Sequence, residues 1–345
     1  MLNFFKNQSV NLRIFRRVST MVFPKILLTR TMPPETQKLI ENAQDIELIH
    51  WKDGSIPRDQ LLKLVPGVSG ILCMITEKID SEVLDVAGPN LKVVSTNSVG
   101  YDHVDLNELR KRKILFGYTP NVLTDATAEL TALLVLAAAR RMREGICAVE
   151  NGEWKKWSPV WLLGTQLTNK TVGIVGLGRI GAATAHRLKP FLGANGKIIY
   201  TANSDKQAAT ELGATRVKFD MLIREADVIC ICCSLNNQTR EMFDYDVFKV
   251  MKKNVILVNT ARGPIIQQDD LIRALSEGLL GSVGLDVTTP EPLDPDHPLL
   301  KFSNVTVIPH LGSATLETRT TMGNLAVENV LAGVRGQPLP SPLEL

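Results

Sequence analysis

The 345-residue sequence is short of cysteine and of aromatic side chains, and its net charge is small. Five cysteines make an odd number with no framework spacing, so no disulfide scaffold is expected and the chain reads as a resident of a reducing compartment. Three of them, Cys230, Cys232 and Cys233, lie in one apolar run, Val228 to Cys233. Alternate residues of a strand face opposite sides, so these thiols are expected in a core and no metal site is expected from them. Apolar runs of membrane-spanning length are also missing. The longest, Leu130 to Ala139, contains Thr131 and stops at Arg140-Arg141, so no membrane partner is expected. A formal charge of +3 is too small to argue for nucleic acid. The excess is local as well: the first 20 residues hold Lys6, Arg13, Arg16 and Arg17 and no acid, which leaves the remainder nearly neutral. There is no repeat of solenoid period and no low-complexity segment.

What is present divides into a tail and two series of alternating elements. Residues 1–20 are basic, acid-free and interleaved with Phe4, Phe5, Leu12, Ile14 and Phe15, the composition of a mitochondrial transit peptide. The competing readings are an untargeted tail or a start at Met21. The expected location is therefore cytoplasmic or mitochondrial. From Pro24 strands are expected at Lys25–Thr29, Ile46–His50, Gly70–Met74, Leu91–Thr96 and Ile114–Phe116. Helices are expected between them at Pro34–Ala43, Asp59–Leu64, Ser81–Ala87 and Leu106–Lys113. One long helix, from about Asp125 to Asn151, should present Leu130, Leu133, Leu134 and Ala137 as its apolar face. It leads to a loop with Trp154, Trp157 and Trp161.

A second series of strands follows, at Thr171–Val175, Lys197–Tyr200, Val228–Cys232, Val255–Asn259, Val283–Asp286 and Val305–Ile308. Repeated βα units imply parallel sheets with helices on both faces. A last amphipathic helix, Leu316–Gly333, has no strand after it and is expected to pack back on the first sheet. The expected division is α/β with two doubly wound domains. One is discontinuous, residues 21–120 plus 315–345, and the other, 121–314, is inserted into it.

The strand series of the inserted domain opens on Thr171-Val172-Gly173-Ile174-Val175-Gly176-Leu177-Gly178-Arg179-Ile180-Gly181. A β-branched run enters a Gly-x-Gly-x-x-Gly turn, and a helical stretch, Ala182 to Phe191, follows. Gly176 permits the tight turn, Gly178 keeps side chains away from a pyrophosphate, and Gly181 lets the helix approach the strand. The phosphates would meet free N–H groups at the helix N-terminus.

Three later loops sit at strand ends, where open α/β sheets bind ligands: Asn259 to Gly263, Asp286 to Pro292 and Pro309 to Ser313. They bring Arg262, Glu291 and His310 beside a bound dinucleotide. A guanidinium can hold a carboxylate in two-pronged geometry and polarise a neighbouring carbonyl. An imidazole can pass a proton to the oxygen as hydride reaches carbon, and a carboxylate bonded to that imidazole favours its protonated form. This set suits reduction of a 2-oxo acid.

At these residues the chain resembles the D-isomer-specific 2-hydroxyacid dehydrogenases. The resemblance runs from about Lys25 to the C-terminus. It includes Ser98-Val99-Gly100-Tyr101-Asp102-His103, Thr124 to Leu130, the glycine turn, Gly284-Leu285-Asp286-Val287 and Pro309 to Thr315. It implies a flavodoxin-like substrate domain, a Rossmann dinucleotide domain and an active site in the cleft between them. It further implies reduction of glyoxylate and hydroxypyruvate, a small-molecule 2-oxo acid substrate and a homodimer. Arg262 would bind substrate, His310 would be the acid/base and Glu291 its partner. Backbone N–H groups of Val99 and Gly100 would hold the substrate carboxylate, with Ser313 nearby and Trp157 reaching from the partner. Gly178, Arg179 and Ile180 would line the pyrophosphate. Ser234, Thr260, Asp286 and Gly312 would contact the rest of the cofactor. Leu72, Met74 and Ile75 are expected pocket walls. The family's serine before the arginine is Ala261 here, and Pro264 replaces an acid or small polar residue; that proline should stiffen the loop and shift Arg262.

Cofactor choice follows from the strand end Tyr200-Thr201-Ala202-Asn203-Ser204-Asp205-Lys206. NAD sites place an acid there for the ribose hydroxyls, and none stands at the strand end itself. Asn203, Ser204 and Lys206 can instead accept a 2′-phosphate, so NADP(H) is preferred over NAD(H). The arginine that the resemblance leads one to expect near Asn203 is missing, and Asp205 would repel the phosphate if it turned inward. Two other readings share the fold. A phosphoglycerate dehydrogenase would need further basic residues, and Ser98–His103 offers none. A dinucleotide-sensing co-repressor would favour NAD(H) and bind short peptides.

Overall fold

The structure, a computed structural model, describes residues 23–345. The expected targeting segment, residues 1–20, lies outside them. The first sheet holds β1 (Lys25–Leu28), β2 (Glu47–His50), β3 (Gly70–Cys73), β4 (Val93–Thr96) and β5 (Leu115–Gly117). Its helices are α1 (Pro34–Glu41), α2 (Arg58–Leu64), α3 (Ser81–Ala87) and α4 (Leu106–Arg112). Asp80 and Asp105 start α3 and α4 by accepting from the N–H groups of Val83 and Glu108. The strand order is β2-β1-β3-β4-β5, all parallel, the flavodoxin-like order. β3 and β4 are buried along their whole length, as a parallel sheet covered on both faces requires.

The chain then enters α5 (Thr124–Ala139) and α6 (Met142–Glu150). These replace the single expected helix. Arg141 takes a left-handed φ of +51° and breaks the run, with its guanidinium bonded to Glu144 on the next turn. The buried side of α5 matches the expected face only in part: Leu134 is buried and Leu130 and Ala137 are half-buried. Its small residues Ala128, Ala132 and Ala138 are buried, while Leu133 is exposed. Small side chains let α5 lie close against the helix after the glycine turn.

The second sheet holds β6 (Thr171–Val175), β7 (Lys197–Thr201), β8 (Thr215–Arg216), β9 (Val228–Ile231), β10 (Ile256–Asn259), β11 (Ser282–Leu285) and β12 (Val305–Val307). Its helices are α7 (Arg179–Leu188), α8 (Gln207–Leu212), α9 (Phe219–Glu225), α10 (Tyr245–Val250) and α11 (Gln268–Ser276). The order is β12-β11-β10-β9-β6-β7-β8, again parallel. It reverses between β6 and β9, the switch point outside which such sheets bind ligands. β8 is absent from the expected strands; two residues carry no periodicity to read. Cys230 is buried in the core below this switch point, and burial pushes the thiols of Cys232 and Cys233 up to about 12 and about 11.

The last helix, α12 (Leu316–Val334), returns to the first sheet and packs on β3, β4, β5 and α1. It is not amphipathic at its C-terminal end: Asn329 to Val334 are all buried. A Cβ on Gly333 would stand 2.5 Å from Val93, and one on Gly70 would stand 2.8 Å from Val330, so glycines set this close approach. Asn329 meets its burial cost by donating to the Tyr118 carbonyl and accepting from Ser341 N–H. Among the described residues no helix is long and apolar enough to cross a membrane.

Candidate active site

β6 ends at Val175 and the backbone turns at Gly176, where φ is +96° and a Cβ would stand 2.7 Å from the Cys233 backbone. A Cβ on Gly181 would lie 2.2 Å from the Gly176 carbonyl oxygen, so α7 rests directly on the turn. Gly178 is different: a Cβ there would meet nothing within 4 Å, because it faces open cleft. It is the N-cap of α7, and no side chain caps the helix. Uncapped N–H groups beside an open, side-chain-free surface fit the pyrophosphate of a dinucleotide. The two glycines should therefore fail differently. Gly178→Ala, at φ −80°, should melt with the wild type but lose affinity for dinucleotide about tenfold or more. Gly181→Ala should lower stability by about 1–3 kcal/mol through the clash with Gly176. Thermal melts and dinucleotide titration of both variants check this.

The cleft, of about 1450 Å³, runs between the two sheets. On the second-sheet side the loops after β10, β11 and β12 bring Arg262, Glu291 and His310 to the cleft. Asn259 folds the first loop, accepting from Ala261 N–H and donating to the Arg262 carbonyl. Arg262 Nε donates to Asp102 Oδ1 at 2.9 Å across the cleft, and Nη1 donates to the Ala261 carbonyl. A Cβ on Gly100 would lie 1.8 Å from Arg262 Nη2, so the guanidinium uses the space that glycine leaves. Pro264 occupies the short 3-10 turn Gly263–Ile265, whose first N–H groups have no acceptor in the turn. The loop is folded around Arg262 with this proline in place.

Glu291 uses both oxygens. Oε1 accepts from Thr288 N–H at 3.1 Å, and Oε2 bonds His310 Nδ1 at 2.7 Å. The carboxylate partner puts the proton on Nδ1 and leaves Nε2 without a protein partner among the described residues. His310 has a φ of +52°, a conformation costly for a residue with a Cβ. Asp286 holds it there: its carboxylate accepts from the N–H groups of Leu311 and Gly312 at 2.5 and 2.9 Å, and its carbonyl accepts from His310 N–H. Burial pushes the Asp286 carboxyl above the ordinary carboxylate range.

The opposite wall comes from the first sheet. The N–H groups of Val99 and Gly100 make no hydrogen bond to the described residues, while Ser98 Oγ donates to the Gly100 carbonyl and shapes the loop. Behind it His103 bonds Thr96 Oγ1 at 2.9 Å. Burial pushes His103 down to about 4, against the pull of Asp102. The unfolded chain takes up this proton near 6.5. The stability due to neutral His103 is thus full above about pH 6.5 and is lost as pH falls toward 4, about 3 kcal/mol in all. Urea midpoints should fall more steeply between pH 7 and pH 4 in the wild type than in His103→Asn. Equal slopes would remove the assignment.

The cleft gathers Val99, Gly100, Gly178, Arg179, Ile180, Ser234, Thr260, Arg262, Asp286, Glu291, His310, Gly312 and Ser313. Gly176 and Gly181 lie behind it, as turn and packing residues. Asn203, Ser204 and Lys206 stand outside it at the end of β7, and Trp157 is 82% exposed on its loop. Met74 and Ile75 line the cleft, but Leu72 is wholly buried beneath it and forms no wall. Arg30, Asp102 and Arg319 also line the space; Asp102 belongs to the Ser98–His103 stretch, which assigns it no role, and no sequence motif singles out Arg30 or Arg319. Arg30 is bonded to Ser55, Thr76 and the buried Glu77.

Fold and site define an oxidoreductase of the two-sheet, dinucleotide-binding class, with a cleft between the sheets. The family described as D-isomer specific 2-hydroxyacid dehydrogenase, NAD binding domain, matches residues 132–312. The glyoxylate reductase/hydroxypyruvate reductase of Mus musculus is 47% identical over 323 residues, 93% of this chain and 98% of that protein. The Homo sapiens protein of the same name is 46% identical over the same shares. Among solved structures, a protein from Thermus thermophilus superposes with a TM-score of 0.86 at 40% identity, over 93% of this chain and 100% of that one. The NADPH-dependent glyoxylate/hydroxypyruvate reductase of Sinorhizobium meliloti, in complex with NADP and malonate, gives 0.80 at 28% identity, over 93% and 97%. The chain belongs to the D-isomer-specific 2-hydroxyacid dehydrogenases, and its cofactor is a nicotinamide dinucleotide.

Proposed function

We propose that this chain reduces glyoxylate to glycolate and hydroxypyruvate to D-glycerate, with NADPH preferred over NADH. The observation that carries the reading is convergence. Arg262 Nη2, the unpaired N–H groups of Val99 and Gly100, and His310 held by Glu291 all border the cleft reached by the uncapped start of α7. The relatives' names supply the substrate class.

The bound reduced dinucleotide supplies the hydride. Val99 and Gly100 N–H groups and Arg262 hold the substrate carboxylate, which fixes the 2-oxo carbon in one orientation. Arg262 also draws charge from the carbonyl oxygen. His310 enters this step protonated on both ring nitrogens; Nε2 gives the oxygen its proton, and the ring is left neutral with Nδ1–H still held by Glu291. Ser234, Thr260, Asp286 and Gly312 form the floor on the cofactor side, and Ser313 continues the wall beyond His310. Residues 21–120 with 315–345 and residues 121–314 act as two bodies that close on the bound substrate.

A homodimer completes the reading. Met142, Ile146 and Val149 on α6 and Trp154, Trp157 and Val160 beyond it are at least half exposed, an apolar surface suited to a second copy. Trp157 then reaches the partner's cleft. The location is cytoplasmic or mitochondrial.

The test is steady-state turnover of the full chain with glyoxylate, hydroxypyruvate and pyruvate, each with NADPH and NADH. High kcat/KM for the first two with NADPH supports the reading. An NADH preference keeps the reaction and overturns the cofactor choice. Tight dinucleotide binding with no turnover moves the chain to a sensing role.

A further inference from the structure

The end of β7 lacks an acid for the ribose hydroxyls, and the residues next along the chain lack an arginine. The fold supplies one from elsewhere. Arg216 is the last residue of β8, paired with Tyr200 in the sheet. Its guanidinium bends over the β7 terminus and donates Nη2 and Nε to the carbonyl of Ala202, the first residue past the strand, at 2.8 and 3.2 Å. Nη1 projects onward into the 202–206 loop and donates to Asp205 Oδ1 at 3.0 Å. On the same loop Lys206 Nζ donates to Ser204 Oγ at 2.9 Å.

We propose that Arg216 is the cation that receives the 2′-phosphate of NADPH, with Asp205 as the counter-ion that holds it when that phosphate is absent. The inference rests on the NADPH reading above. Three features support it. First, position: the ribose of a dinucleotide lies at the end of the second strand of the fold, and a nearby arginine is what accommodates a 2′-phosphate. Arg216 is anchored to the first carbonyl beyond that strand. Second, exchange costs little. The Asp205 side chain is 87% exposed, and an ion pair so placed contributes little, so a phosphate dianion can displace it. Third, the local charge is right. Arg216 and Lys206 outnumber Asp205, and Asp205 is drawn toward Arg216 rather than left to repel the phosphate. Anchoring by Ala202 also fixes the guanidinium plane before the phosphate arrives, which reduces the ordering cost of binding.

The experiment titrates full-length wild type, Arg216→Ala, Arg216→Gln and Asp205→Asn with NADPH and NADH by nicotinamide fluorescence. Competition by 2′-phospho-AMP and AMP reads the adenosine end alone. The expected result is a loss of about 10- to 100-fold in NADPH and 2′-phospho-AMP affinity in both Arg216 variants, with NADH and AMP changed less than about twofold. Asp205→Asn should tighten NADPH, and the wild-type preference should shrink as salt is raised. A wild type that prefers NADPH, with the preference intact in Arg216→Ala and Arg216→Gln, overturns the role of Arg216 and leaves the cofactor reading standing. A wild type that binds NADH as tightly as NADPH overturns that reading and this inference with it.

Discussion

His310→Asn lowers kcat for glyoxylate reduction about 10²- to 10⁴-fold and leaves NADPH affinity within about twofold. Asparagine is the informative substitution because of the backbone. His310 sits at φ +52°, a region that asparagine enters more readily than most residues. The loop pinned by Asp286 through Leu311 and Gly312 therefore survives, as does the bond from Thr288 N–H to Glu291. What is lost is the ring nitrogen that gives and regains the proton. KM for glyoxylate should change far less than kcat, since Arg262 and the Val99–Gly100 backbone remain. An unchanged kcat would remove His310 from the reaction and point to solvent as the proton source.

Arg262→Ala costs about 10²- to 10⁴-fold in kcat/KM, corresponding to about 3–5.5 kcal/mol for removing one side of a desolvated charge pair. The folded state should lose little. Asp102, the partner across the cleft, keeps about a third of its side chain exposed and regains water when the guanidinium goes. The loss should appear in both KM and kcat, because the guanidinium holds the carboxylate and polarises the carbonyl. Arg262→Lys should recover only a small part, since an ammonium cannot contact Asp102 and the substrate in the same planar arrangement. A substrate without the carboxylate, such as glycolaldehyde, separates the two contributions: the variant should then differ from wild type far less than with glyoxylate. An undiminished kcat/KM for glyoxylate would mean that the backbone N–H groups alone hold the substrate.

The two substitutions also discriminate among the readings of the chain. A dinucleotide sensor would tolerate both without loss of cofactor binding and would show no turnover to lose. A reductase would show the proton-transfer and substrate-holding steps failing separately, one chiefly in kcat and the other in both constants.

The sequence by itself determined the features set by local chemistry. Alternating β-branched runs and capped helices specify the βα series, and Thr171–Val175 and Ser81–Ala87 fall where their patterns put them. The glycine turn is legible because each glycine answers a steric demand from residues a few positions away. Arg262, Glu291 and His310 stand at strand ends, which the βα alternation already marks as ligand-facing. The tertiary structure decided what depends on the order of strands rather than their identity. Asp102 and Arg262 are 160 residues apart and meet because two sheets face one cleft. Arg216 reaches the end of β7 because β8 is laid beside it, and a two-residue edge strand has no pattern to announce itself. Arg141 breaks a helix that composition would continue. The C-terminal turns of α12 are buried all round because the helix closes the first sheet against the chain's own end. Apart from Arg141, which is held by Glu144 three residues on, the deciding energy is packing or pairing between segments distant in sequence, for which local propensity carries no information.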